Sequence, residues 1–168
     1  MNDIILDTLR EEFSDLADPV QLTRVVVRLL LAIALGACLG WERERHGKTA
    51  GLRTHMLVAL GVALMIVAAQ QSGISQADLS RVLQGVFAGI GFVGAAAIIK
   101  PHDDDKERVR GVTTAASIWS TAAIAAAAGL GRESTAIVAT VFAMVILSLL
   151  LRLEKRLGTH VDSDETRR

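Results

Sequence analysis

The sequence predicts an all-α membrane protein with five transmembrane helices, and two observations carry that prediction. The 168-residue chain is 51% hydrophobic, and its mean hydropathy of +0.42 is higher than that of most water-soluble domains. Five apolar stretches are each 17 to 22 residues long, so that at a rise of ~1.5 Å per residue each matches the ~30 Å hydrocarbon core of a bilayer. They cover residues 20–41, 52–69, 82–99, 112–130 and 135–151.

The charge balance and the single cysteine exclude several classes of protein. The chain has 18 Lys and Arg residues and 18 Asp and Glu residues, so its net charge is zero. Because nucleic-acid binding usually requires an excess of positive charge, we expect no nucleic-acid partner. Cys38 lies inside an apolar stretch, which excludes a disulfide scaffold and a cysteine zinc site. Motifs of serine hydrolases, P-loop proteins and metalloproteases are absent from the sequence, so we expect no enzyme activity, no cofactor and no metal site.

The N-terminal segment, residues 1–19, predicts an amphipathic helix at the membrane interface. Its carboxylates stand where a signal peptide needs positive charge, so the first span is expected to stay in the mature protein. Apolar residues recur at helical spacing and predict a helix over residues 3–17; they are Leu6, Leu9, Phe13 and Leu16. Asp18 followed by Pro19 is typical of a helix cap, so the first membrane helix should begin there.

Lys and Arg are distributed unequally between the two sides of the predicted bundle. The loop after the first span, the loop after the third and the segment after the fifth carry thirteen of these residues, whereas the opposite side carries four. Because cytoplasmic loops are enriched in positive charge, the N-terminus is predicted outside and the C-terminus in the cytoplasm. The domain organisation follows: an N-terminal segment over 1–19, a five-helix membrane domain over 20–155 and a cytoplasmic tail over 156–168.

Small residues predict where the membrane helices pack. Glycine lets two helix backbones approach closely in lipid, and the candidates for packing are Gly36, Gly40, Gly85, Gly89, Gly91 and Gly94. The third and fourth spans are richest in glycine and alanine and should be central, with the fifth at the lipid-facing periphery. We expect a homo-oligomer, a dimer formed through the first or third span. The alternative is that the glycines open a path lined by backbone.

Two loops on the predicted cytoplasmic side end in glycine, and each is followed by a helix whose first turn carries hydroxyls. The free N–H groups of these two helix starts, with Arg53 and Arg110 beside them, suit an anion such as phosphate or a lipid head group. Glu42 and Glu44 are expected to neutralise those arginines across the hairpins. The alternative is that the threonines only cap helices while the arginines reach the interface.

Three polar features inside or between the spans need an explanation. Arg28 lies deep in the first span and is expected to snorkel to the outer interface, with a partner inside the bundle as the alternative. Residues 102–105 could supply oxygen ligands to Mg²⁺, but a solvated loop is the better interpretation. Trp119 stands in mid-span and is expected to pack between helices.

Four segments resemble motifs of the MgtC/SapB family of bacterial inner-membrane proteins, in the same order. These segments are GWERE at 40–44, AGLRTH at 50–55, GIGFVG at 89–94 and RGVTTAA at 110–116. The resemblance covers about residues 20 to 155. The motif residues that form the candidate cytoplasmic site are Glu42, Arg43, Glu44, Gly51, Arg53, Thr54, His55, Arg110, Gly111, Thr113 and Thr114.

The resemblance implies a multi-pass protein of the bacterial inner (plasma) membrane, associated with growth at low magnesium and, in pathogens, with virulence. It implies the lipid bilayer and a membrane protein as partners. The chain is similar to the short SapB/YhiD type without an ACT-like C-terminal domain, so the F-type ATP synthase is a partner only by weak analogy. We expect a non-enzymatic protein acting through helix contacts in magnesium and stress adaptation. The alternative is a small Mg²⁺ transporter or channel, for which the spans offer little polar path.

Overall fold

The computed structural model describes residues 2–12, 14, 18–98 and 110–157, and all regular structure in that part of the chain is α-helical. The sequence prediction of an all-α fold is therefore confirmed. The described ranges contain six helices: α1 (Asn2–Glu12), α2 (Pro19–Arg45), α3 (Leu52–Gln71), α4 (Gln76–Ala96), α5 (Val112–Gly129) and α6 (Glu133–Leu157).

Four of the helices, α2 to α5, are long and apolar enough to cross a membrane. They correspond to the first four predicted spans. The fifth predicted span lies in α6, which is 25 residues long and has an apolar stretch over Glu133–Ser148. Of the helix predicted over residues 3–17, α1 covers the part up to Glu12, and Phe13 and Leu16 lie outside the described residues. The helix α1 contacts no other helix of the described part and leaves its apolar side chains exposed.

The starts of α2 and α4 follow the capping signals of the sequence. Asp18 Oδ1 accepts a hydrogen bond from Val20 N at 3.0 Å, with Pro19 as the first helical residue. Ser75 Oγ accepts from Asp78 N at 3.1 Å and donates to Asp78 Oδ2 at 2.7 Å. Both caps satisfy N–H groups that have no partner within their helix.

The central helix of the bundle is α5, which packs against α2, α3, α4 and α6. Its alanines make this possible, because small side chains let four neighbours approach one helix. In its most apolar 18-residue stretch 56% of the residues are buried, against 17% for α4. The central position predicted for the fourth span is confirmed, but that for the third is wrong. α4 packs only on α5 and α3 and stands at the edge.

Glycine gives two close helix crossings inside the bundle. A Cβ at Gly36 would lie 2.8 Å from His55 O, and one at Gly40 would lie 2.7 Å from Leu52 Cα, so α2 and α3 touch through their backbones. The sequence analysis missed the other crossing, where a Cβ at Gly129 would lie 3.0 Å from Ala63 O and α5 meets α3. At all three positions any larger side chain must push the helices apart.

The glycines of α4 behave differently from those of α2. A Cβ at Gly94 would lie 3.6 Å from Ala115 Cβ of α5, which is an ordinary packing distance. Around Gly85, Gly89 and Gly91 no atom of the described chain lies within 4 Å of such a Cβ. Within this chain, packing therefore uses Gly36, Gly40 and Gly94, while Gly85, Gly89 and Gly91 have no close neighbour in the described part.

Arg28 joins four helices at the end of the bundle opposite to the start of α3. Its Nη1 donates to Gln70 Oε1 at 2.8 Å and to Gly129 O at 3.3 Å, and its Nε lies 3.9 Å from Glu133 Oε1. The side chain of Arg28 is 25% exposed and meets its partners at helix ends, so it reaches this end of the bundle and also has acceptors there, which stabilise its charge. The expected position of Trp119 is only partly met: its ring lies 5.5 Å from that of Phe87 but stays 52% exposed.

The glycine contacts predict opposite effects for one substitution at two positions. Gly36→Leu should lower the free energy of unfolding by about 1–3 kcal/mol or prevent folding, because the side chain collides with the backbone of α3. Gly89→Leu should leave that free energy nearly unchanged, since its side chain enters open space. Unfolding in detergent with increasing SDS, followed by circular dichroism, measures both. Equal destabilisation by the two variants would contradict the crossing described here.

Candidate functional site

Polar side chains are buried together at one end of the bundle, where α2 ends and α3 and α5 begin. We call this the charged end. The buried side chains there are Glu42, Arg43, His55, Thr114 and Ser117. Three helices supply them, so the cluster exists only once α2, α3 and α5 have packed. Buried polar groups in an apolar bundle are costly unless they are paired, which makes this end the candidate functional site.

Glu44 caps the start of α3 from the preceding helix. Gly51, the N-cap residue, offers no side chain, and Glu44 Oε2 accepts from Leu52 N at 2.7 Å. A Cβ on Gly51 would lie 2.7 Å from that carboxylate oxygen, so glycine is needed for the carboxylate to approach. A negative charge at this position also interacts favourably with the partial positive charge of the helix N-terminus.

His55 connects α3 to α5 inside the charged end. Its Nδ1 lies 2.9 Å from Gly51 O, which only accepts, so Nδ1 carries a proton and donates. Its Nε2 lies 3.2 Å from Ser117 Oγ, and that hydroxyl is also 2.8 Å from Thr114 O. The contacts tie the first turn of α3 to the first turns of α5. Ser117 was not predicted for this site, because a serine in an apolar helix carries no signal of its partner on another helix.

Glu42 and Arg43 are buried side by side, with side chains 4% and 2% exposed. Their closest approach is 3.5 Å, between Arg43 Nη1 and Glu42 Oε2. His46 Nδ1 lies 3.1 Å from Glu42 Oε1 but donates its hydrogen bond to Glu42 O at 2.8 Å. Among the described residues, Arg43 Nε and Nη2 and both carboxylate oxygens of Glu42 have no hydrogen-bond partner. Buried donors in this state are costly, more so on a charged group.

A cavity of about 730 Å³ opens at the charged end, next to the start of α5. Its lining includes Arg43, Lys48, Arg110, Gly111, Thr113 and Thr114. The N-cap of α5 is Gly111, whose φ of 95° lies in the left-handed region and which provides no side-chain cap. A Cβ at Gly111 would collide with Ala97 O. The N–H groups in the first turn of α5 have no partner within the helix, and they border a cavity lined by three cationic side chains.

The structure divides the residues predicted for this site into two groups. Arg43, Arg110, Gly111, Thr113 and Thr114 line the cavity; Glu42, Glu44, Gly51 and His55 build its support. Arg53 is exposed and Thr54 half-buried, and neither is among the lining residues. Lys48 lines the cavity although the sequence analysis considered it only for orientation.

The structure does not support the expected pairing of Glu42 and Glu44 with arginines across the hairpins. Within the described residues, Glu42 and Glu44 form no ion pair with Arg53 or Arg110. Glu42 instead lies against Arg43 and His46, and Glu44 caps α3. The reason is that other groups lie closer to these carboxylates at the end of α2. Arg43 and His46 lie beside Glu42, and Leu52 N lies beside Glu44. The predicted solvated loop at residues 102–105 lies outside the described residues.

Long apolar helices, with buried charges gathered at one end, define a membrane protein of several spans. The sequence profile of the MgtC family matches residues 29–156. The chain therefore belongs to the MgtC family, which confirms the resemblance seen in its motifs.

Three curated relatives cover most of this chain. Protein SrpB of Synechococcus elongatus is 44% identical over 137 residues, which are 76% of this chain and 75% of SrpB. The putative magnesium transporter YhiD of Escherichia coli K12 is 34% identical over 139 residues, and protein MgtC of Salmonella typhimurium is 36% identical over 133 residues. Each match covers 79% of this chain, but only 63% of YhiD and 55% of MgtC. No solved structure matches the chain.

The cap from Glu44 predicts a measurable loss of stability. Glu44→Ala should lower the free energy of unfolding by about 1 kcal/mol, because Leu52 N loses its acceptor and the helix start loses a favourable charge. Arg45→Ala, an exposed neighbour on the same turn, is the control and should change it by less than about 0.5 kcal/mol. SDS unfolding of both variants makes the comparison. A loss no larger for Glu44→Ala than for the control would contradict the capping role.

Proposed function

We propose that this chain is a non-enzymatic protein of the bacterial inner membrane that acts through helix contacts in adaptation to low magnesium and stress. It contacts a second copy or another membrane protein. The observation that carries this proposal is the outer surface of the bundle, where large apolar side chains stay exposed on several helices. Leu57 is 68% exposed, Phe92 79% and Phe142 64%. Such a surface is suited to lipid and to other helices, and unsuited to water.

The proposed topology has five spans, with the N-terminus outside and the C-terminus in the cytoplasm. Two facts support it. The helix α6 is long enough to follow α2 to α5 across the membrane, and the two connections at the charged end together with the segment after the fifth span carry thirteen of the 18 Lys and Arg residues. In this topology the cavity faces the cytoplasm, and the cluster around Arg28 faces the outside.

A self-associating face is proposed on α4. Gly85 and Gly89, one helical turn apart, have open space around them, and Phe92 on the same side of the helix is 79% exposed. A glycine face of this kind lets a second helix approach closely in lipid, where packing is the main attraction between helices. The first span is unsuited to the same role, because Gly36 and Gly40 already contact α3 within the protomer.

The role in magnesium adaptation is supported by the family and by the printed name of YhiD, a putative magnesium transporter. Transport is therefore the second candidate function. The composition of the bundle interior argues against transport. Between the charged end and Arg28, the buried residues are mostly alanine, valine, leucine and isoleucine. The buried hydroxyls of Thr121 and Thr140 donate to carbonyls of their own helices and offer no path to an ion. A partner such as the F-type ATP synthase rests on family analogy alone.

Labelling of single cysteines tests the topology. In a Cys38→Ser chain, a cysteine at position 104 should react with a membrane-impermeant maleimide only after the inner membrane is opened. A cysteine at position 74 should react in intact spheroplasts, because the proposed orientation places that loop outside. Reaction of both positions from the same side would refute the five-span arrangement.

Growth at low magnesium tests the functional proposal together with self-association. Gly89→Leu should insert normally yet reduce both cross-linking between copies and the rescue of a deletion strain, because the side chain blocks helix approach. Gly61→Leu is the matched control, since Gly61 on α3 also faces open space. Full rescue by Gly89→Leu would refute the α4 contact. Magnesium uptake into proteoliposomes by the purified chain would favour transport instead.

A further inference from the structure

We propose that the cavity at the start of α5 binds a phosphate group, carried either by free phosphate or by a phospholipid head group. The ligands are Arg43, Lys48, Arg110 and the N–H groups in the first turn of α5. This inference goes beyond the proposed function, because it requires neither self-association nor a role in magnesium adaptation.

The first argument compares the two helices that start at the charged end. Both α3 and α5 have a glycine N-cap without a side-chain cap. At α3 the chain supplies its own anion, since Glu44 Oε2 lies 2.7 Å from Leu52 N. At α5 no side chain of the described part caps the N-terminus, and a cavity lies in front of it. A negatively charged group is stabilised at such a position by free N–H groups and by the helix dipole.

The second argument is the state of Arg43, which lines the cavity and is 1% exposed. Its Nε and Nη2 have no hydrogen-bond partner among the described residues, although its Nη1 lies 3.5 Å from Glu42 Oε2. Two unsatisfied donors on one buried guanidinium match the oxygens of a phosphate, which accept such donors in pairs. Binding would satisfy donors that are otherwise buried without acceptors.

The third argument is the charge and the size of the site. Arg43, Lys48 and Arg110 line the cavity, whereas the nearby carboxylate of Glu42 lies against Arg43. The three positive charges of the described lining thus outnumber the one negative charge of Glu42, which favours a ligand with more than one negative charge. A volume of about 730 Å³ is within the range of small-molecule sites and leaves room for a substituent on the phosphate.

The experiment uses the full chain in dodecyl maltoside, a detergent without phosphate, titrated with inorganic phosphate in a calorimeter at constant ionic strength. A second arm measures binding of a fluorescent short-chain phosphatidic acid to the same preparation. Arg110→Gln and Lys48→Gln should each weaken binding, and the double variant should raise the Kd by about tenfold or more. Arg45→Gln is the matched control, because Arg45 is exposed at the same end and is not among the lining residues.

Arg43→Gln should abolish binding, but it can also disturb folding because Glu42 would lose its neighbour. The Arg110→Gln variant therefore decides the test, because Arg110 is exposed and its loss should not disturb folding. Binding of inorganic phosphate that depends on Arg110 supports the proposal with free phosphate as the source. Binding of phosphatidic acid alone, with the same dependence, supports it with a lipid as the source. Absence of binding in both arms would overturn the proposal, and so would an equal loss in Arg45→Gln or Arg53→Gln.

Discussion

The close crossing of α2 and α3 at Gly36 and Gly40 is the constraint on which the charged end depends. Because the two backbones touch there, the last turns of α2 lie directly beside the first turn of α3. That proximity lets Glu44 reach Leu52 N, and Arg43 is buried at the same end. With side chains at the glycines, the helices would separate and the carboxylate could no longer cap α3.

The charged end also illustrates how an apolar bundle handles polar groups. Some are satisfied locally: Thr121 and Thr140 donate to carbonyls on their own helix. Others join helices, as His55 joins α3 to α5. Arg43 differs from all of these, because two of its donors stay buried without acceptors in the described chain. A group in that state is a cost to folding, which is most simply understood when a ligand supplies the missing acceptors.

Much of the fold could be predicted from residues that act locally. Apolar length located the five helices α2 to α6 to within about six residues at each end, and Asp18 and Ser75 marked the starts of α2 and α4 as expected. The central position of the third span could not be predicted in the same way. Glycine content shows only that a helix can approach a neighbour, and three glycines of α4 have no neighbour within the described part of this chain.

The sequence by itself determined the class of protein, the helices, their caps and the set of motif residues at the charged end, because length, hydropathy and capping act over a few neighbouring positions. Only the tertiary structure decided which of those residues share a site. Arg53 and Arg110 look alike in sequence, each within three residues of a glycine and a threonine, yet Arg110 lines the cavity and Arg53 is not among its lining residues. The physical reason is that Glu44 already occupies the first helix start, a contact across a loop that no local pattern specifies.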